Sequence, residues 1–135
     1  MIDNRTAPYA AALLRVSLGV MFIAHALLKV LVFTPAGTVK FFESLGLPGP
    51  LAYITIGAEL IGGALILGGV YARYVSLVLV PILLGATWAH AGNGWVFSAP
   101  NGGWEYPAFL VVAALTVALF GDGKYAFLPS PTTSK

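Results

Sequence analysis

Apolar residues run along the chain in four long blocks, at residues 8–33, 51–70, 74–91 and 104–120. Short stretches rich in glycine, proline and asparagine separate them. No block alternates apolar with polar positions, so none reads as a half-buried strand. A helix rises 1.5 Å per residue and needs about 20 mostly apolar residues, within a range of about 17–25, to cross a hydrocarbon core. The pattern predicts an all-α membrane protein, with four transmembrane helices in one antiparallel bundle.

The punctuation agrees. Pro8 suits the first turn of a helix, where a missing N–H costs nothing. Pro48-Gly49-Pro50 ends the first loop and launches the second block. Gly68-Gly69 leads into a tight turn at residues 71–73, and Gly92-Asn93-Gly94 and Asn101-Gly102-Gly103 bracket the third loop. Pro81 lies inside the third block and predicts a kink, which membrane helices tolerate because neighbours re-satisfy the freed carbonyl. In the first loop Val39, Phe41, Phe42 and Leu45 interleave with Lys40, Glu43 and Ser44, predicting a helical turn or two in the membrane interface. Residues 129–135 read as a disordered tail.

Composition narrows the class. The 135 residues make one domain, 59% hydrophobic and 9% charged, with a mean hydropathy of +0.88; soluble domains carry about 25% charged residues. The seven basic residues are scattered rather than clustered, which argues against nucleic acid as a partner. With no cysteine, the chain has no disulfide, thiol relay or thiolate metal site of its own. Arg5 and Ala24-His25-Ala26 imitate parts of a signal peptide, but Arg15 interrupts its apolar stretch and the run continues to Phe33. The first block is therefore expected to be retained. Arg5, Arg15, Arg73, Lys124 and Lys135 fall on one side of the predicted bundle, and Lys29 and Lys40 on the other. That bias predicts both termini in the cytoplasm.

Six ionisable side chains lie inside or at the mouths of these blocks: Arg15, His25, Lys29, Glu59, His90 and Glu105. A charge at a membrane-helix centre costs roughly 2.5–3.5 kcal/mol on insertion scales, which makes each a candidate functional residue. Arg15, Gly19, Phe22, Ala26 and Lys29 share one face of the first helix, within roughly 80° of arc, as a bundle seam would. Thr55, Glu59, Gly62, Gly63 and Ile66 share a face of the second long helix, whose small residues permit close approach. Glu59 is expected to pair with Arg15, across an axial gap on the order of 8 Å, or else with Lys29. Such a pair either fixes helix register or recognises a polar ligand group. His25, Lys29, His90 and Glu105 fall toward one end of their helices. Trp88, Trp95, Phe97, Trp104 and Tyr106 gather at the same end, as an interfacial belt or as the wall of a pocket for a flat ring. The histidines have no metal-site spacing, and neither a metal nor haem is expected.

Taken in order, these residues resemble the DoxX family of small four-helix membrane proteins. The ordered set is Arg15, Phe22 to Lys29, Gly46-x-Pro48, Glu59-Leu60-Ile61-Gly62-Gly63, Gly68, Arg73, His90, Glu105-Tyr106-Pro107 and Gly121-x-Gly123-Lys124, spanning nearly the whole chain. The resemblance implies a redox setting linked to quinones, with Arg15, Lys29, Glu59, Arg73, His90 and Glu105 as the positions to carry over. Where the family often has glycine after the first-helix histidine, this chain has Ala26, which narrows any pocket there.

The expectation is a multi-pass protein of the inner membrane that binds a quinone or related aromatic. Arg15 with Glu59 would order a polar centre, and His25, Lys29, His90 and Glu105 would form its mouth. A chain without cysteine or a redox-cofactor motif needs a partner to supply electrons, so a partner protein or a homo-oligomer within the lipid bilayer is expected. The alternatives are a non-enzymatic anchor or assembly subunit, and a small-solute or proton transporter. Four helices without an internal repeat are few for alternating access.

Overall fold

In the computed structural model, which describes residues 1–133, every regular element is helical. The order is α1 (Ala7–Leu31), α2 (Pro35–Ser44), α3 (Leu51–Gly68), α4 (Ala72–His90), a 3-10 turn (Ala91–Asn93) and α5 (Glu105–Phe120). Helices α1 and α3, and α4 with its 3-10 turn, are long and apolar enough to cross a membrane. Helix α5, with 16 residues, is shorter. Large apolar side chains stand exposed along these helices, among them Leu13, Ile61, Val78 and Leu119, and a contiguous apolar exterior is what lipid rather than water accepts.

Helices α1 and α3 pack closely and run in opposite directions. Two glycines set the distance. A Cβ on Gly19 would lie 2.7 Å from the Leu67 nitrogen and 2.9 Å from the Gly63 oxygen, and one on Gly63 would lie 2.9 Å from Phe22 Cβ. The predicted stripe on α1 is the packed face, with Arg15, Gly19, Phe22 and Ala26 all buried. Helices α4 and α5 form a second close pair. The core between the pairs holds Leu18, Phe22, Ile66, Leu79, Leu83, Ala113, Ala114 and Val117.

The first loop contains a longer element than the turn or two expected. Helix α2 has ten residues and starts at Thr34, whose hydroxyl accepts from the Gly37 N–H at 3.1 Å. Thr34 holds φ 67° and ψ 155°, a region nearly reserved for glycine. Strain of about 1–3 kcal/mol is offset by the cap and by Thr38, whose buried hydroxyl donates to the Thr34 oxygen at 2.9 Å and the Lys29 oxygen at 3.3 Å. The reversal from α1 into α2 is thereby fixed.

The end of the molecule that carries both termini is tied by two side chains. Arg15, 1% exposed, donates to the oxygens of Ile66 (3.0 Å), Leu67 (2.7 Å), Asp122 (2.7 Å) and Lys124 (2.9 Å). The first two belong to the last turn of α3, where carbonyls lack the usual partner four residues on, although the Ile66 oxygen also accepts from the Gly69 N–H at 3.1 Å; a cation there also complements the helix dipole. Asp122 accepts from the Arg73 N–H at 3.1 Å, in the first turn of α4, and from the Ser130 hydroxyl at 3.0 Å and the Ser130 N–H. Leu128 bridges to Val70, and its oxygen accepts from the Tyr71 N–H at 2.9 Å. The tail expected to be disordered from Pro129 is thus held at Ser130, because its backbone and hydroxyl satisfy a buried carboxylate. Ser134 and Lys135 lie outside the described residues.

Candidate functional site

The opposite half of the molecule is hollow. A cavity of about 1550 Å³ lies between the two helix pairs, and its wall includes His25, Lys29, Glu59, His90 and Glu105. Five of the six charged or titratable positions singled out in the sequence therefore meet in one place. Each long helix contributes: His25 and Lys29 from α1, Glu59 from α3, His90 from α4 and Glu105 from α5. Pro81 and Gly85 of α4 also line the cavity. The proline removes one helical hydrogen bond and the glycine presents no side chain there.

The sixth position is elsewhere. Arg15 is absent from the cavity wall and does not pair with Glu59. The partner of Glu59 is Lys29, whose ammonium donates to the two carboxylate oxygens at 2.8 Å and 3.1 Å. The reason lies in the Gly19–Gly63 contact. From it, Arg15 lies one turn toward the termini and Glu59 one turn the other way, an axial separation of about 12 Å. Arg15 instead meets the end of α3. Arg73, carried over from the resemblance, also lies at that end, its Nη1 donating to the Pro131 oxygen at 3.4 Å.

Both histidines are oriented by their own helices. His25 Nδ1 is 2.7 Å from the Met21 oxygen and His90 Nδ1 is 2.9 Å from the Ala86 oxygen. A carbonyl only accepts, so each Nδ1 carries a hydrogen and donates it, which leaves Nε2 as the ring nitrogen not engaged by the helix. The His25 ring stacks on Tyr106 at 5.6 Å between centroids and 26° between planes, which joins α1 to α5 across the cavity. Glu105 accepts from the Phe97 N–H at 3.0 Å and so holds the third loop against the first turn of α5. Lys29 has three donors. Two reach Glu59, which leaves one N–H for another acceptor.

Of the aromatic cluster, Trp95, Phe97 and Tyr106 line the cavity. Trp104 backs Trp95 edge-on at 4.7 Å, and Trp88 is exposed outside it. The cavity also takes residues that the sequence reading left out of the site. Tyr106, which the sequence offered either to the interfacial belt or to a pocket wall, is one, and its hydroxyl is buried without a hydrogen-bonding partner among the described residues. Thr55 is another, and Phe41, Phe42 and Leu45 of α2 form a third side. Their apolar period was visible in the sequence, but its inward direction depends on the reversal at Thr34. Among the described residues no three histidine or carboxylate side chains gather as a metal site.

A polar girdle inside apolar and aromatic walls is suited to an amphiphilic ring compound. Polar groups that fix orientation within a mostly apolar concavity are the usual make-up of a small-molecule site. Comparison with known proteins adds a family. The sequence model of the DoxX family matches residues 10–92. A Bacillus subtilis (strain 168) protein named "Putative oxidoreductase CatD" is 33% identical over 127 residues, which cover 93% of this chain and 90% of that protein. No solved structure matches the chain significantly. The chain belongs to the DoxX family.

Proposed function

We propose that this DoxX protein binds a quinone or quinone-like aromatic in the cavity, as the membrane subunit of a redox system. The observation that carries the proposal is the convergence of His25, Lys29, Glu59, His90 and Glu105 on one aromatic-walled space. The oxidoreductase name of the Bacillus subtilis relative supports the redox setting. Arg15 has no part in it, because its donors are committed to four carbonyls at the other end.

The residues suit such a ligand. The remaining N–H of Lys29 is a charge-assisted donor for a ring oxygen, and Glu59 keeps the ammonium in place. Stacking against Tyr106 and His25 favours a flat ring. Reduction of a quinone takes up two electrons and two protons. His25 and His90 each offer Nε2, the ring nitrogen not engaged by their own helix, as a site for proton exchange with the ring. The electrons come from a partner protein, since the chain has no cysteine to carry them.

The setting completes the proposal. Helix α5 serves as the fourth crossing beside α1, α3 and α4, in an antiparallel bundle within the inner membrane. The Lys/Arg bias places both termini in the cytoplasm, so the cavity opens toward the outer face. Organic extraction of protein purified from its native membrane, followed by chromatography, tests the ligand. A quinone approaching one per chain is expected, and protein that carries none at any detergent concentration rejects the reading.

A further inference from the structure

The cavity is too large for a ring alone. Sites for drug-sized ligands run to about 300–1,000 Å³, and this one holds about 1550 Å³. Its polar groups are also unevenly placed. His25, Lys29 and Glu59 form a polar girdle on the α1 and α3 walls, and His90, Asn101, Glu105 and Tyr106 stand on the side of α4, α5 and the third loop. Beyond the girdle the wall of α2 and its flanks is Phe33, Phe41, Phe42, Leu45, Leu47 and Leu51. The polar side chain on that wall is Thr38, and its hydroxyl already donates to the Lys29 and Thr34 oxygens.

The apolar directions leading from Lys29 and Glu59 differ. The floor is sealed by Leu18, Phe22 and Leu83, at 2%, 3% and 5% exposed. The wall is open on the α2 side, where Phe33 and Phe41 are 56% and 46% exposed, and on the side of α5 and the third loop, where Phe109 and Phe97 are 65% and 68% exposed; the second opening is also lined by the polar Asn101 and Glu105, whereas the first is apolar. An apolar chain attached to a ring at the girdle can leave the protein toward α2 and cannot leave through the floor. Helix α2 is held in place for this by its short links to α1 and α3 and by the Thr38 contact with Lys29.

We infer that the ligand is a membrane-resident amphiphile whose ring sits at the Lys29–Glu59 girdle and whose apolar tail leaves along α2, against Phe42 and past Phe33 and Phe41. The inference rests on the ring reading above and adds the class of molecule and the path of its tail. A water-soluble ring with no tail would leave the α2 wall unused.

Photolabelling tests it in full-length protein in lipid nanodiscs. The probe is a benzoquinone with a ten-carbon chain tipped by a diazirine, and the competitor is the same ring with a plain decyl chain. Label is expected between residues 33 and 51 and should be suppressed by the competitor. Phe42→Trp, which fills the path without removing packing, should lower that label. Label on α2 that the competitor does not suppress would mean ordinary contact with bilayer chains, and would overturn the inference. Competable label on α4 or α5 would overturn it as well, by sending the tail elsewhere. If the tail-less ring binds wild type but no competable label appears on α2, the tail assignment alone falls. If neither the ring nor the tailed probe binds, the ring reading of the cavity falls with it.

Discussion

Lys29 holds its ammonium 2.8 Å and 3.1 Å from the two carboxylate oxygens of Glu59, and the pair stands in a cavity wall rather than in the sealed core. Its side chains are 19% and 8% exposed. A buried ion pair is weak evidence for stability, since desolvation offsets much of the attraction. Its position is more informative. The pair lines the cavity between the helix pairs, which both histidines also line, and one donor of the ammonium is left for a ligand.

Removing one member of the pair should destabilise the protein. Glu59→Gln leaves Lys29 facing a neutral amide in an apolar setting, and the loss should fall at the lower end of about 3–5 kcal/mol, because Lys29 keeps some exposure. Lys29→Met with Glu59→Leu should recover most of it. Thermal unfolding in detergent measures both, and a double variant less stable than either single one would contradict the assignment.

Arg15 should behave as a structural residue. Hydrogen bonds to charged groups contribute about 1.5–3 kcal/mol each, and Arg15 makes four, so Arg15→Ala should cost about 3 kcal/mol or more. Arg15→Lys keeps the charge but loses the fork and should recover little. The folded fraction of Arg15→Lys should bind a ring ligand as wild type does. Equilibrium binding on that fraction checks this, and a selective loss of affinity would return Arg15 to the site.

Asp122 links the chain after α5 to the start of α4. Asp122→Ala should cost about 1–2 kcal/mol, as loss of a helix N-terminal cap does. Hydrogen exchange should rise at the Arg73 and Ser130 amides and remain unchanged in α2. Equal protection of those amides in both proteins would show that the carboxylate holds neither segment.

The face of α3 can be tested by size. Gly63→Leu forces atoms into Phe22 and Ile23, where even a Cβ would lie at 2.9 Å and 3.0 Å, and overpacking costs about 1–3 kcal/mol or more. Leu60→Ile, at a site 40% exposed, should be nearly neutral. Equal melting temperatures for the two variants would reject the packed face.

How far the sequence could be read follows from these residues. Block lengths located the long helices within a few residues, and the period of α1 picked out the buried stripe from Arg15 to Ala26. Periodicity gives the face of a helix but not its axial register. The Arg15–Glu59 pairing was therefore the weak step, decided by the Gly19–Gly63 contact and by the carbonyls in the last turn of α3 that Arg15 meets. Five cavity residues were legible as charges that lipid would not accept. Tyr106 and the α2 wall were not, because an aromatic or an amphipathic turn reads equally well as membrane interface. Asp122 escaped notice because it lies outside every apolar block, and its role depends on the fold bringing residue 122 beside the start of α4.

The orientation has its own test. Single cysteines replacing Lys40 and Asn101 should react with an impermeant thiol reagent added outside intact cells, and one replacing Tyr71 should not. The reverse pattern would move the cavity mouth to the cytoplasmic face.

The central claim is that the Lys29–Glu59 wall holds a ring ligand. Its most direct test is titration with a short-chain benzoquinone, followed by tryptophan fluorescence, since Trp95 lines the cavity. Wild type and the Lys29→Met, Glu59→Leu double variant are compared. The account predicts saturable quenching in wild type and, in a double variant that still folds, affinity at least about tenfold weaker, as loss of one charge-assisted hydrogen bond implies. Equal affinity in the two proteins would contradict it and leave the pair as a device for helix register.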